Sequence, residues 1–342
     1  MKKLMVPFLT AVLTLGMAAC ANDAEQSSAG GGEGASNSGY PDKAIAFSVP
    51  SGAGGGLDTT GRALSNLFSS EKIVDSTITV ENNPGGGQVV GTVEFANKDK
   101  GNDYRLLIAS TPFILNHVKK EGNSPVSFRD ITPIARLVTE YDVLAVPADS
   151  KYDSLEALFA AMKKDPSSVT FAGGSGPGSF DHLNAIYPAM KADVDVKGLK
   201  YISFDGGGEA LTSLLGGNAD VISSDVSSVY EYVKAGKVKI LGISAPERLE
   251  GEFADIPTYK EQGIDAELTN WRGIYGPADM SEEAKAYWEE KVAELVDTEA
   301  WKKELEKQGW QDGYMASEDF IKLMEEEEAM YTEIYKDLGM AK

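Results

Sequence analysis

The sequence predicts an α/β fold built on parallel strands, and three observations carry that reading. From Tyr40 onward, short β-rich runs alternate with stretches of helical period, the pattern written by strands and their crossover helices. Glycine-rich loops follow several of those runs and open the next helix. Beyond Pro277 no strand pattern is read and two amphipathic helices are expected to close the chain. Composition agrees: 342 residues, 42% hydrophobic and 25% charged, suit a globular chain of roughly two domains.

Taken in order, residues 1–19 read as an address. Lys2 and Lys3 precede an apolar run from Leu4 to Met17, too short to span a bilayer comfortably, and Met17-Ala18-Ala19 leads into the sole cysteine. This resembles a bacterial lipoprotein signal, cleaved to leave Cys20 as the lipid-bearing first residue. The alternative is ordinary secretory cleavage after Ala19 with a free Cys20. Residues 20–39 are this cysteine and a linker, Ala21 to Gly39, that contains no aromatic or large aliphatic side chain and so cannot bury enough surface to fold. They predict a flexible tether holding the folded body on the order of 25 Å from its lipid.

The strands expected next are Ile45–Val49, Thr77–Val80, Leu106–Ala109, Val143–Val146, Val169–Ala172, Tyr201–Phe204, Val221–Ser223 and Ile240–Ile243. Between them, Leu155, Leu158, Phe159 and Met162 stand at i, i+3, i+4 and i+7 behind a capping Ser154, and Leu183, Ile186, Tyr187 and Met190 repeat the pattern. Both sets predict helix faces packed in a core. Near the end, Ser281 is expected to cap a helix with Ala284, Tyr287, Trp288, Val292 and Leu295 inward. Ser317 is expected to cap another with Phe320, Leu323, Met324, Tyr331, Ile334 and Leu338 inward. The acidic run Glu325 to Glu328 reads as a solvated helix face.

Charge excludes several functions. With 32 basic and 53 acidic side chains the net charge is −21, and loss of Lys2 and Lys3 with the signal lowers it to −23. Nucleic acid is excluded as a partner, because neutralising phosphates needs a basic footprint. One cysteine and two histidines, His117 and His182, leave no thiolate or histidine-rich metal site, and no cofactor is expected.

The chemistry is read from glycine- and hydroxyl-rich loops at the carboxyl ends of strands, the edge where parallel α/β folds bind ligands. Ser51 to Asp58 opens a helix after the first strand, and Gly173 to His182 does the same after Val169–Ala172. A third loop, Asp205-Gly206-Gly207-Gly208, follows Tyr201–Phe204. Glycine lets the backbone approach an anion closely, and the free N–H groups of a helix start supply partial positive charge. Enzyme fingerprints fail at identifiable residues. A dinucleotide G-x-G-x-x-G meets Leu57 or Thr59 in place of its last glycine, and Gly236-Lys237 is followed by Val238 where a phosphate loop needs Ser or Thr. The G-x-S-x-G elbow meets Pro177 or Pro246 in place of its last glycine. His182 follows Ser175 by seven residues, which spacing alone does not make a triad. It is expected to cap or orient its loop, with His117 at the surface. Asp58 either satisfies its helix start or accepts hydrogen bonds from a ligand hydroxyl, an ammonium group or water; Asp205 poses the same choice.

These residues together resemble the substrate-binding proteins of tripartite tricarboxylate transporters. The similarity runs from Tyr40 to about Leu338. It includes Tyr40-Pro41-Asp42-Lys43, the loop ending in Asp58 with Arg62 a turn later, and Val80-Glu81-Asn82-Asn83-Pro84-Gly85-Gly86-Gly87. It continues through Gly173 to Leu183, Leu214-Leu215-Gly216-Gly217-Asn218-Ala219-Asp220, Pro257 to Gly263 and Trp271-Arg272-Gly273.

The resemblance implies a two-lobed fold of the type II periplasmic-binding-protein kind, hinged by chain crossings near Tyr141-Asp142 and Asn270-Trp271. Lobe one would comprise residues 40–141 and 271–342, with the C-terminal helices packed on it, and lobe two residues 142–270. The ligand would be a small carboxylate held through backbone amides and water. Implied site residues are Ser51, Gly54, Gly55, Gly56, Asp58, Pro84, Gly85, Gly86, Ser110 and Thr111 in lobe one. In lobe two they are Ser175, Gly176, Gly178, Ser179, His182, Asp205, Gly206, Gly207, Ser224 and Asp225, none of them catalytic. The wording Gly-Ser-Gly-Pro-Gly-Ser-Phe-Asp-His is nearer to members associated with citrate-like ligands, whereas Phe204-Asp205 departs from the tyrosine and lysine common there. The implied role is that of an extracytoplasmic, membrane-anchored and monomeric receptor handing its acid to a permease in the membrane. The alternatives are a receptor presenting the acid to a sensor kinase, and an esterase using Ser175 and His182.

Overall fold

A computed structural model describes residues 39–204 and 206–342, and Tyr40–Lys342 forms one compact unit. Residues 1–38, with the expected signal, Cys20 and most of the tether, lie outside the described residues, as does Asp205. Among the described residues no helix is long and apolar enough to cross a membrane.

The first half builds β1 (Ile45–Val49), α1 (Gly56–Ser70), β2 (Ile78–Asn82), α2 (Val89–Lys98), β3 (Arg105–Ser110), α3 (Pro112–Val118) and β4 (Thr132–Glu140). A second set follows: β5 (Asp142–Pro147), α4 (Leu155–Lys164), β6 (Thr170–Gly173), α5 (Phe180–Lys191), β7 (Lys200–Ser203), α6 (Gly207–Leu215), β8 (Val221–Asp225), α7 (Val226–Lys234) and β9 (Val238–Ile243). The chain then returns through β10 (Asn270–Gly276), α8 (Glu282–Val296), α9 (Glu299–Gln308), β11 (Gln311–Ala316) and α10 (Ser317–Asp337).

Two sheets result, ordered β11-β4-β10-β3-β1-β2 and β7-β6-β8-β5-β9. The two-lobed α/β architecture is therefore present, but neither sheet is wholly parallel. β10 runs antiparallel to β3 and β4, and β5 runs antiparallel to β8 and β9. The reason is the connection: the chain passes straight from β4 to β5 at Tyr141, and a strand that crosses between sheets enters the second against the direction of its βαβ units. β4, β10 and β11 lie outside the expected strands. The sheet-forming run Gln311–Ala316 and the short helix α9 also correct the expectation that only two helices follow Pro277. β11 has no apolar alternation to announce it; it is an edge strand held by β4 alone.

Four apolar clusters cover the sheet faces. Phe47, Phe68, Trp288 and Trp301 join β1, α1, α8 and α9 on one face of the first sheet. On its other face, Phe113, Trp271, Tyr275, Phe320 and Tyr331 meet Phe180, Leu183 and Ile186 of α5, so a helix of the second sheet packs directly on the first. Leu155, Leu158, Phe159 and Met162 are buried as the helical period required, and Ser154 Oγ accepts the N–H of Ala157 at 3.2 Å. Ser281 likewise caps α8. Ser317 does not cap α10: its hydroxyl donates to the Pro133 carbonyl at 2.8 Å, and Ala316 occupies the cap position. Nor is the Glu325 to Glu328 run wholly solvated, because Glu327 is buried and accepts from Trp271 Nε1 at 2.6 Å.

Candidate functional site

The loop between β1 and α1 is built around one carboxylate. Asp58, in the first turn of α1, accepts from Gly54 N–H at 2.8 Å, Arg62 Nε at 2.9 Å and Asn82 Nδ2 at 2.9 Å. Burial alone would raise its pKa, but these donors outweigh burial and hold it below the ordinary carboxylate range. Its oxygens thus shape the loop, with Gly54 at φ +80° completing the turn. Gly55 is the cap residue, and Gly56 packs so closely on Arg272 that a Cβ would lie 2.5 Å from the guanidinium.

The second glycine loop, Pro84 to Gly87, leads into Gln88 at φ +82°. Gln88 Nε2 donates to Ser110 Oγ at 2.8 Å, and Asn116 Nδ2 donates to the Gly87 carbonyl. Thr111 Oγ1 accepts from Trp271 N–H at 3.0 Å and donates to the Thr269 carbonyl. Ser110 and Thr111 therefore fasten loops together, and Thr111 is fully buried.

In the second sheet three loops abut. A Cβ at Gly174 would lie 2.3 Å from Gly207 N, and one at Gly207 would lie 3.1 Å from Ser224 Oγ. The starts of α5, α6 and α7 are thereby drawn together. Ser175 Oγ accepts from Asp181 N–H at 3.3 Å, while Tyr201 Oη donates to the Ser175 carbonyl at 2.8 Å. His182 Nδ1 accepts the N–H of Gly178 at 3.0 Å, its ring meets Tyr201 edge-on, and burial pushes its pKa down to about 4. It is a neutral loop-orienting imidazole, as expected, with the proton on Nε2. Gly176 borders open space, and its carbonyl accepts from Ser179 N–H. Asp225 caps α7, accepting from Ser228 N–H and the Ser227 hydroxyl at 2.7 Å each.

The facing loops of the two sheets meet along a seam. Gly87 lies beside Ser179, with 3.8 Å between a Cβ built at Gly87 and the Ser179 hydroxyl oxygen, and Tyr335 Oη of α10 donates to the Gly178 carbonyl at 2.8 Å. At the chain passage, buried Arg272 contacts the Glu140 carboxylate and donates to Thr60 Oγ1 at 3.1 Å; Glu140 also accepts from Ser227 N–H at 3.3 Å. The start of α1 is thus linked through Arg272 and Glu140 to the start of α7. Burial pushes Glu140 up to about 7 in spite of Arg272, and burial beside Asp225 pushes Asp181 to about 7. Burial, with Asp181 and Asp225 beside it, also raises Asp142 well above the ordinary carboxylate range, whereas Asp225, facing Arg272 and two serines, is held low.

Arg272, Glu140, Asp142, Asp181, Gln88 and Asn116 were not among the expected site residues. A lone acid opening an apolar strand, as in Asp142-Val143-Leu144, was the legible signal for one of them. His117 is not freely exposed either, standing 3.9 Å from Glu328. Two hollows lie away from the seam, one of about 510 Å³ lined by Ile202, Phe204 and Thr212, the other of about 440 Å³ beside His117 and Glu328. Among the described residues no cluster of His, Cys, Asp and Glu is arranged to hold a metal ion.

Two α/β sheets joined by crossing strands, with helix starts meeting along their seam, define a solute-binding protein of the periplasmic kind. Residues 65–340 match the tripartite tricarboxylate transporter family receptor, TctC, and the chain belongs to that family. It is similar to a TctC solute binding protein from Polaromonas, at 29% identity and a TM-score of 0.64 over 87% of this chain and 99% of that one. The fold is shared with MatC of Rhodopseudomonas palustris, solved with bound malate, at 21% identity and a TM-score of 0.77 over 86% of this chain and 99% of that one. It is shared also with Rpa4515 of R. palustris, solved with adipate, at 20% identity and 0.79 over 88% and 99%.

Proposed function

We propose that this chain is an extracytoplasmic receptor that closes two lobes on a small organic carboxylate and delivers it to the membrane permease of a tripartite transporter. The lobes are residues 40–141 with 271–342, and residues 142–270. The observation that carries this reading is the convergence of helix starts: α5, α6 and α7 abut through Gly174, Gly207 and Ser224, and α1 joins them through Arg272 and Glu140. The starts of α1, α5 and α6 carry no side-chain cap, and free N–H groups at such starts hold an anion without requiring a basic side chain. Malate and adipate in two proteins of the same fold support the ligand class. The site comprises the loops 51–58, 84–87, 175–182 and 205–208 with Ser110, Thr111, Ser224 and Asp225, and a lipid on Cys20 tethers the monomer to the membrane.

The test is a thermal-shift screen of the purified protein against citrate, malate, adipate, succinate and amino acids. A ligand at a hundred times its dissociation constant stabilises by about 2.7 kcal/mol, roughly 4 °C in a chain of this size. A selective shift supports the receptor reading, and no shift with any acid overturns it. Labelling of the expressed protein by a palmitate analogue, lost in Cys20→Ser, tests the anchor.

A further inference from the structure

The seam holds more carboxylates than its cation can serve. Glu140, Asp142, Asp181 and Asp225 come from β4, β5, α5 and the start of α7, and Arg272 is a cation that faces Glu140, Asp142 and Asp225. Arg272 is already engaged with Glu140 and Thr60. Asp225 is served by Ser227 and Ser228. Asp142 is different: it is 0% exposed, and neither of its carboxylate oxygens has a hydrogen-bond partner.

Its position follows from strand register. Asp142 pairs with Asp225 across β5 and β8, and Leu144 pairs with Ser223 two residues on, so Asp142 and Ser223 stand on one face of the sheet. That face is covered by α5, because Ser223 Oγ donates to the Asp181 carbonyl at 2.7 Å and accepts from Asn184 Nδ2 at 2.8 Å. Asp142 therefore looks toward the first turn of α5 from the strand at which the chain passes between the sheets. On the same seam, Ser179 Oγ and Asn116 Oδ1 are buried and also lack partners. A buried ionised carboxylate without a partner is strongly unfavourable, whereas one that receives a cation is not. Helix starts are suited to the negative end of a ligand; Asp142 is suited to a positive end.

We propose that the seam takes an amino acid rather than a hydroxy acid or tricarboxylate, its carboxylate at the helix starts and its ammonium group on Asp142. This rests on the carboxylate-receptor reading above and deepens it. An ammonium group brings three donors and one positive charge to a seam where both oxygens of the buried Asp142 carboxyl lack a hydrogen-bond partner. Citrate would bring three further negative charges to the same place.

The experiment is calorimetric titration of the purified protein with the common amino acids and with hydroxy acids of matched skeleton, aspartate against malate and glutamate against 2-hydroxyglutarate. At least one amino acid is expected to bind, tenfold or more tighter than its hydroxy counterpart. In Asp142→Asn the amino acid should lose tenfold or more while the hydroxy acid is unchanged or improved. The proposal is overturned if malate or citrate binds and no amino acid does, or if Asp142→Asn leaves the ratio within twofold of wild type. The wild-type comparison decides the matter even if the variant fails to fold. Absence of binding by every acid overturns the receptor reading itself, an outcome distinct from binding of hydroxy acids alone.

Discussion

Tyr335, in the last turns of α10, donates its phenolic hydrogen to the carbonyl of Gly178 at 2.8 Å, fastening the end of the chain to the loop that opens α5. The bond is buried, and it joins an element packed on the first sheet to one built on the second. Gly178 lies at φ +71°, a conformation glycine adopts without strain, and its N–H is held by His182. The loop is thus fixed from both sides.

Tyr335→Phe removes that bond and leaves the Gly178 carbonyl buried without its donor. A loss of about 1 kcal/mol is expected, lowering the melting temperature by about 1.5–2 °C. An unchanged melting temperature by differential scanning calorimetry would show the contact to be energetically idle.

Gly56→Ala and Gly206→Ala should differ sharply. A Cβ at Gly56 meets Arg272 Nη2 at 2.5 Å, and the guanidinium cannot retreat without breaking its buried contacts with Glu140 and Thr60. About 3–5 kcal/mol of stability should be lost, as when a buried ion pair is broken. Gly206 has nothing within 4 Å of a Cβ and an extended backbone, so its alanine variant should cost about 1 kcal/mol or less. Urea unfolding of both variants checks this, and equal losses would refute it.

Asp58→Ala orphans three donors at once, so it should destabilise by roughly 2–3 kcal/mol and weaken every ligand alike, without reordering them. Its native pKa is depressed, so the ion's contribution is present above the unfolded value near 3.8 and disappears as pH falls through the lower native value. A changed ligand ranking in calorimetry would instead place Asp58 in contact with the ligand.

Gly54→Val should strain the first loop by about 1–3 kcal/mol, because φ +80° is unfavourable for a β-branched residue although the space around a Cβ is open. Ligand affinity should fall while the far-ultraviolet circular dichroism stays native. Unchanged affinity would remove this loop from the site.

Glu327→Gln should flatten the pH dependence of stability. Burial pushes Glu327 up to about 7, against donation from Trp271 and the nearby Arg136. Between its unfolded value near 4.5 and 7 the native state holds a proton that the unfolded chain releases, so this contribution is complete below about 4.5 and is lost as pH rises through 7. At pH 8 the glutamine variant, which keeps an acceptor for Trp271 Nε1, should exceed wild type by about 1–3 kcal/mol. Parallel declines from pH 5 to pH 8 would contradict the assignment.

Local signals in the sequence were read correctly where the cause is local. Short β-rich runs gave β1, β2, β3, β5, β6, β7, β8 and β9 to within a few residues, and Ser154 and Ser281 announced helix starts because a hydroxyl satisfies the N–H groups just after it. The glycine loops were legible for the same reason, since φ beyond zero at Gly54 and Gly178 is a property of one residue and its neighbours. The helical faces of α4 and α8 followed from period alone.

What the sequence alone determined is therefore the alternation of elements, the loops that open α1, α5 and α6, and the family to which they point. The tertiary structure decided the rest. β4, β10 and β11 exist because they pair with one another across long separations, and Gln311–Ala316 has no strand character apart from its partner. Ser317 left its cap for a carbonyl 184 residues away, and Glu327 left solvent for Trp271. Arg272 meets Glu140 across 132 residues, and Asp142 becomes an unpartnered carboxylate only when α5 covers it. Burial and long-range pairing are set by which surfaces the folded chain brings together, and no window of sequence short enough to show a period contains both partners.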